Sequence, residues 1–274
     1  MTRTGQSEWR AVTLDVGHTL LFPHPSVGAV YAEAAAPFGI RLTPAEAEER
    51  FRVAWHAAQA ACTGLVYGTT DADARAFWGE VVARSLVSAD VVDDTEVPAA
   101  ILDVLYDTFS RAEVWRLSDG WGRVWRYCRD HDIRVALVSN WDVRLRPLLT
   151  AFGVVEQVDA VVISAECGLE KPDPAIFQLA LDELAVPAAA ALHVGDSWTE
   201  DVIAARAAGL TAAWMNPGAA ALPDPAPGVH DLRVLTDLMS VLERRAPTAS
   251  RGPAADRSLT EEGSCVHGAT QSRH

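Results

Sequence analysis

The stretch Ala11-Val12-Thr13-Leu14-Asp15-Val16-Gly17-His18-Thr19-Leu20-Leu21 decides the fold. Residues 11–14 form a short, largely apolar run that ends at Asp15. Such a run reads as a first β-strand whose carboxyl end presents the aspartate. Similar runs recur at residues 133–138, 159–163, 190–194 and 210–214. Helical-looking stretches separate them, at 121–130, 173–184 and 201–208. Strands alternating with helices of that length predict βαβ units and a mostly parallel sheet. A sheet of this kind places its sites beyond the carboxyl ends of its strands.

Residues 23–115 break the rhythm. Four segments there, 27–38, 44–60, 73–86 and 98–109, are Ala-rich or carry spaced apolar residues. Each predicts an amphipathic helix. Pro44 after Thr43, and Pro98 after the less typical Val97, suit first-turn positions. The simplest account is a helical insert between the first and second core strands. It leaves the chain just after Asp15 and is expected to sit over the site. After Trp214 the sequence NPGAAALPDPAPG predicts a surface loop, and residues 232–242 one last helix. The remainder to residue 274 is mostly Ser, Thr, Gly, Pro, Ala and charge, and is expected to be disordered.

Composition narrows the function classes. Thirty-seven acidic residues against 23 basic ones give a formal net charge of −14. Phosphate backbones and anionic membranes repel such a surface, so no nucleic-acid or membrane partner is expected. Cys62, Cys128, Cys167 and Cys265 form no CxxC pair or close cluster, so neither zinc nor a disulfide framework is indicated. Residues 1–10 lack the apolar run of a secretory signal, and no apolar segment reaches membrane-spanning length. A cytoplasmic, reduced protein is the expectation, either monomer or homodimer.

Four segments carry chemistry, each at the expected end of a core strand. In LDVGHTLL, residues 14–21, Asp15 serves equally as metal ligand, nucleophile or cap. In LVSNWD, residues 137–142, Ser139 offers a hydroxyl to an anion or caps a helix. In GLEKPDP, residues 168–174, a lone Lys171 precedes two prolines. In HVGDSWTED, residues 193–201, Asp196 follows an apolar strand and a glycine, with Glu200 and Asp201 close behind. Such a group of oxygens suits hard Mg²⁺ better than zinc.

In this order and spacing the four segments resemble the motifs of the haloacid-dehalogenase-like (HAD) hydrolase superfamily. The resemblance covers residues 10–242 and includes the insert, which looks like the family's helical cap of the first type. It implies an α/β fold: a Rossmann-like parallel sheet with helices on both faces, plus an inserted cap domain. Residues 9–22 and 116–243 then form the core, 23–115 the cap and 244–274 a tail. It also implies Mg²⁺-dependent hydrolysis of a small phosphorylated metabolite through an aspartyl-phosphate. Asp15 matches the nucleophile, Ser139 the phosphoryl-binding hydroxyl and Lys171 the charge-neutralising lysine. Asp15, Asp196, Asp201 and the Gly17 carbonyl match the metal site. Thr19 matches the residue that closes the first motif, where a hydroxyl helps fix the loop. Thr19, Asn140, Tyr31 and Trp55 are the substrate-binding candidates. His24, His56, Tyr67 and Trp78 are further pocket candidates; for each of these, as for Tyr31 and Trp55, ordinary helix packing is the commoner role.

Two positions depart from the pattern. Family phosphatases carry a second aspartate two residues after the nucleophile, which protonates the leaving oxygen. Here that position is Gly17. General acid–base help is typically worth about 10²–10⁴-fold. Three readings stand: a substrate with a good leaving group, such as an acyl or aryl phosphate; a substitute such as His18; or an impaired protein kept for binding or scaffolding. Family members that cleave carbon–phosphorus bonds also lack this aspartate but use a cap lysine, and residues 23–115 contain none, which argues against that activity. At Glu200 the family commonly has asparagine; the carboxylate either tightens the metal site or faces water. Dehalogenation of a 2-haloacid by the same aspartate is the enzymatic alternative, but it has no use for Asp196.

Overall fold

The structure, a computed structural model, describes residues 9–61, 66–86, 99–223 and 227–244. β1 (Ala11–Leu14) leads to β2 (Leu21–Pro23). Helices α1 (Val27–Ala35), α2 (Pro44–Ala61), α3 (Asp71–Leu86) and α4 (Ala99–Phe109) follow, and β3 (Trp115–Leu117) returns the chain. The core continues with α5 (Trp121–Asp130), β4 (Arg134–Ser139), α6 (Leu145–Ala151) and β5 (Ala160–Ile163). The short α7 (Ser164–Cys167), α8 (Ala175–Leu184), β6 (Ala191–Gly195) and α9 (Ala204–Ala207) come next. β7 (Thr211–Met215), β8 (His230–Leu232) and α10 (Asp237–Glu243) complete the described chain.

Six strands form one sheet in the order β5-β4-β1-β6-β7-β8, every pair parallel. Counted along the chain this is the doubly wound 3-2-1-4-5-6 order of Rossmann folds. Its winding reverses beside β1, so a crevice opens at the carboxyl ends of β1 and its neighbours. Side chains alternate across the sheet. Val135 and Leu137 of β4 join Val12, Leu14, Trp121, Leu149 and Leu238 on one face. Ala136 and Val138 join Ala11, Ile176, Phe177, Leu184 and Ala205 on the other. Helices therefore cover both faces, as an all-parallel sheet requires.

The four α-helices described in the insert form a cap. Its entry and exit pair as an antiparallel neck, Leu21 with Leu117 and Pro23 with Trp115. Strands this short leave no periodic trace in sequence. Within the cap, α1 crosses α2 in contact: a Cβ on Gly28 would lie 2.1 Å from the Pro44 carbonyl oxygen. Gly28 N–H instead donates to Glu48 at 2.6 Å. Thr43 and Glu46 form a reciprocal capping box at the start of α2. α3 begins at Asp71 rather than 73 because the Thr70 hydroxyl accepts from Asp73 N–H at 3.1 Å.

Two core segments also differ from the sequence reading. Leu232 lies in the edge strand β8, and the last helix begins at Asp237. The Asp237 carboxylate accepts from the backbone of Arg233 and Val234 and fixes that turn. The helix expected over 201–208 opens earlier, as a π-turn at Trp198–Ile203, before α9. The expected tail, from 245 onward, lies outside the described residues, as do Val97 and Pro98.

Candidate active site

Asp15 continues β1: its N–H donates to the Val194 carbonyl at 2.9 Å. This places its carboxylate at the carboxyl edge of the sheet, where it is 6% exposed. Asp15 Oδ1 accepts from Lys171 Nζ at 2.6 Å and from Ser139 Oγ, at the end of β4, at 3.3 Å. Oδ2 has no hydrogen-bond partner among the described residues. Lys171 Nζ also donates to Asp201 Oδ1 at 2.6 Å. One buried ammonium thus joins two carboxylates.

The neighbours explain how Lys171 and Asp201 are held. Asn140 Oδ1 accepts from Lys171 N–H at 2.7 Å, and its Nδ2 donates to the Lys171 carbonyl at 2.8 Å. Asn140, expected to bind substrate, therefore grips the lysine loop with both ends of its amide. Asp201 Oδ2 accepts from Ser197 N–H at 2.9 Å, and Oδ1 lies 3.2 Å from His193 Nε2. His193 Nδ1 lies 2.8 Å from the Thr13 hydroxyl. A neutral ring satisfies both contacts by donating from Nε2 and accepting at Nδ1. In the π-turn, Asp201 and Val202 N–H groups both donate to the Ser197 carbonyl. The Asp201 side chain packs so tightly on β6 that a Cβ at Gly195 would lie 2.1 Å from its Cγ. Only glycine fits there.

Burial opposes charge throughout this group, and the neighbours decide the outcome. For Asp201, Lys171 and His193 outweigh burial and hold the carboxyl well below the usual range. For Lys171, Asp15 and Asp201 outweigh burial and keep the ammonium charged. Asp15 is raised by burial, with Lys171 as partial counterweight. Asp196 is pushed up to about 8, first by burial and then by Asp15 and Asp201. Carboxylate oxygens of Asp15, Asp196 and Asp201 lie within 4.8 Å of one another. Three hard oxygen donors whose mutual repulsion raises a pKa form a site compatible with a divalent cation.

A cavity of about 830 Å³ lies over these groups, between core and cap. Gly17, His18, Tyr31, Trp55, His56, Tyr67, Trp78, Asn140 and Glu200 line it, together with the carboxylates, Ser139 and Lys171. Two of the expected residues fall elsewhere. His24 is exposed beside the neck. Thr19 is fully buried off the cavity wall, and its hydroxyl has no hydrogen-bond partner among the described residues. The hydroxyl therefore does not fix the loop; backbone bonds from His18, Thr19, Leu20 and Leu21 do.

Sequence reasoning missed three features. His193 lies within an apolar strand, where a core histidine is the ordinary reading. Trp115 and Trp141 line the cavity from the neck and from the loop after β4. Asp142 and Arg144 form a buried pair beneath the cap, with Arg144 donating at 2.6 and 2.9 Å. Trp78 Nε1 of α3 donates to Asp142 at 2.6 Å, and the Arg144 guanidinium lies 4.1 Å from the Tyr106 ring of α4. The only advance signal was that Asp142 closes the SNWD segment.

No helix among the described residues is long and apolar enough to cross a membrane. The family model described as haloacid dehalogenase-like hydrolase matches residues 9–209. The human haloacid dehalogenase-like hydrolase domain-containing protein 3 is 35% identical, over 85% of this chain and 94% of that one. Among solved structures, the HAD-hydrolase YfnB of Bacillus subtilis, bound to magnesium, superposes with a TM-score of 0.63 at 21% identity. It covers 86% of this chain and 99% of YfnB. A 2-haloacid dehalogenase of Pseudomonas syringae pv. Tomato DC3000 superposes at 0.57 and 22%, over 85% and 98%. The fold thus accommodates both namesakes, and with the family match over residues 9–209 the chain belongs to the haloacid dehalogenase-like hydrolases.

Proposed function

We propose that the chain hydrolyses a small-molecule phosphate ester with Mg²⁺, through an aspartyl-phosphate on Asp15. The observation that carries this reading is Lys171 Nζ, 2.6 Å from both Asp15 and Asp201, beside the three-carboxylate cluster. A dehalogenase has no need of a cation site, and Asp196 has no other evident task. That YfnB is bound to magnesium agrees with this choice.

The residues divide the work as follows. Asp15 Oδ2 attacks phosphorus, because Oδ1 is held by Lys171 and Ser139. Lys171 offsets the repulsion between nucleophile and substrate, and Asn140 keeps its loop in place. Ser139 Oγ turns to a phosphoryl oxygen. Asp15, Asp196, Asp201 and the Gly17 carbonyl are the proposed magnesium ligands, and His193 orients Asp201. Bound there, Mg²⁺ supplies positive charge to the phosphoryl oxygens. The cap, proposed to span residues 23–115, closes the site against large substrates and excludes water from the first step.

Phosphate release from a panel of small phosphate esters tests the reading, with and without Mg²⁺ and with Asp15→Asn as control. Metal-dependent release abolished in the control is expected. Release that ignores the substitution, or halide release from a 2-haloacid without metal, would overturn it.

A further inference from the structure

We infer that the substrate of this site is the phosphate monoester of an uncharged phenol, an inference that rests on the phosphatase reading above. Three observations converge on it. First, Gly17 provides no proton for a leaving oxygen. A phenol ionises near pKa 10, against about 15.7 for water, so a phenolate leaves without general-acid help where an alkoxide does not.

Second, the wall beside Gly17 is aromatic. The atom nearest to a Cβ at Gly17 is Trp141 Cζ3, at 3.5 Å. From Trp141 the rings follow one another around the cavity. Trp115 is 5.1 Å away, Phe109 a further 5.9 Å and Tyr31 a further 6.0 Å. Phe51 follows at 5.4 Å and Trp55 at 6.3 Å. All six line the same cavity as Asp15. A ring leaving from phosphorus is therefore received against Trp141 and Trp115.

Third, the lysine and arginines on the wall are already paired. Lys171 is held by Asp15 and Asp201, Arg144 by Asp142 and Arg52 by Glu49. Glu48 and Glu200 also line the wall. A leaving group carrying a carboxylate or a second phosphate finds no lysine or arginine without a carboxylate partner among the described lining residues. A neutral ring needs none.

An Asp15 oxygen bonds to phosphorus as the phosphorus–oxygen bond to the ring breaks. The electron pair stays on the phenolate oxygen, which takes a proton from solvent. Water then attacks the aspartyl-phosphate, freeing the Asp15 carboxylate and inorganic phosphate, and one water proton returns to solvent.

The test measures kcat/KM with Mg²⁺ for phenyl and naphthyl phosphates, 4-carboxyphenyl phosphate, 2-phenylethyl phosphate and acetyl phosphate. The uncharged aryl esters are expected to lead. 2-Phenylethyl phosphate, which has a ring but an alkoxide leaving group, is expected to lag. Acetyl phosphate, which has a good leaving group but no ring, is expected to show a higher KM. Trp141→Ala and Trp115→Leu, each checked for folding by circular dichroism, should raise KM for aryl esters by about three- to tenfold. That loss should exceed the loss on acetyl phosphate, and Trp141→Phe should recover most of it. Alkyl or carboxylated esters matching the uncharged aryl esters would overturn the inference and leave the phosphatase reading standing. Equal losses on aryl and acetyl phosphates would do the same. Absence of release from every ester would overturn both.

Discussion

A Cβ at residue 17 meets only Trp141, at 3.5 Å, and the backbone there is not left-handed. The position therefore accepts a side chain. Gly17→Asp is expected to raise kcat/KM for alkyl phosphates by about 10²–10⁴-fold, the usual worth of a general acid. Steady-state kinetics on 2-phenylethyl phosphate check it, and an unchanged rate would show that proton transfer is not what the site lacks. At Thr19 the buried hydroxyl has no partner among the described residues. Thr19→Val keeps the shape and removes the orphan, so stability should rise by about 1 kcal/mol in denaturant unfolding. At this scale the sequence pointed to Asp15, Ser139, Lys171, Asp196 and Asp201, because each lies in a polar segment at or after the carboxyl end of a core strand, and the structure gathers all five on one cavity wall. It did not show that Asn140 holds the Lys171 loop or that His193 holds Asp201. Lys171 is distant from Asn140 in sequence, and the His193 ring is set toward Asp201 by a contact with the equally distant Thr13.

Elements fix how cap and core meet. Asp142 is fully buried and holds Arg144, while Trp78 reaches it from α3. Gly68, at φ +70°, packs so closely on Asp142 that any Cβ would clash. Trp78→Phe removes one donor from this buried carboxylate and should cost about 1–3 kcal/mol. Urea unfolding measures it, and a cost near zero would mean that the contact does not hold the cap. The long cap helices were legible from their periodicity and caps. The neck strands β2 and β3 and the edge strand β8 were not, since three residues carry no period. The π-turn was equally hidden, because it arises from where Ser197 and Asp201 must meet rather than from local preference.

The whole molecule carries a formal charge of −14 and gathers several carboxylates at one site. Without metal, Asp196 keeps its proton up to about pH 8, whereas the unfolded chain releases it near the ordinary aspartate value of about 3.9. Between those values the folded state binds the extra proton, so stability falls as pH rises. Asp15 and Glu200 are raised too and act in the same direction. Asp201 is lowered, and its contribution is lost only at acid pH. The melting temperature of chelator-treated protein should therefore fall across this window. Magnesium should restore more at its upper end than at its foot, and a restoration independent of pH would contradict that. The parallel character of the sheet was readable from the strand rhythm, and the cap's place over Asp15 from the point where the insert leaves the chain; the strand order and the cap-to-core packing depended on contacts between distant residues.

The most direct measurement is chemical trapping during turnover. The enzyme, with Mg²⁺ and phenyl phosphate, is quenched with borohydride and its peptides are analysed by mass spectrometry. An aspartyl-phosphate on Asp15 is reduced to the alcohol, so homoserine should be found at position 15. Phosphate release continuing while residue 15 stays unmodified, or trapping at another carboxylate, would contradict the central claim that Asp15 is the nucleophile.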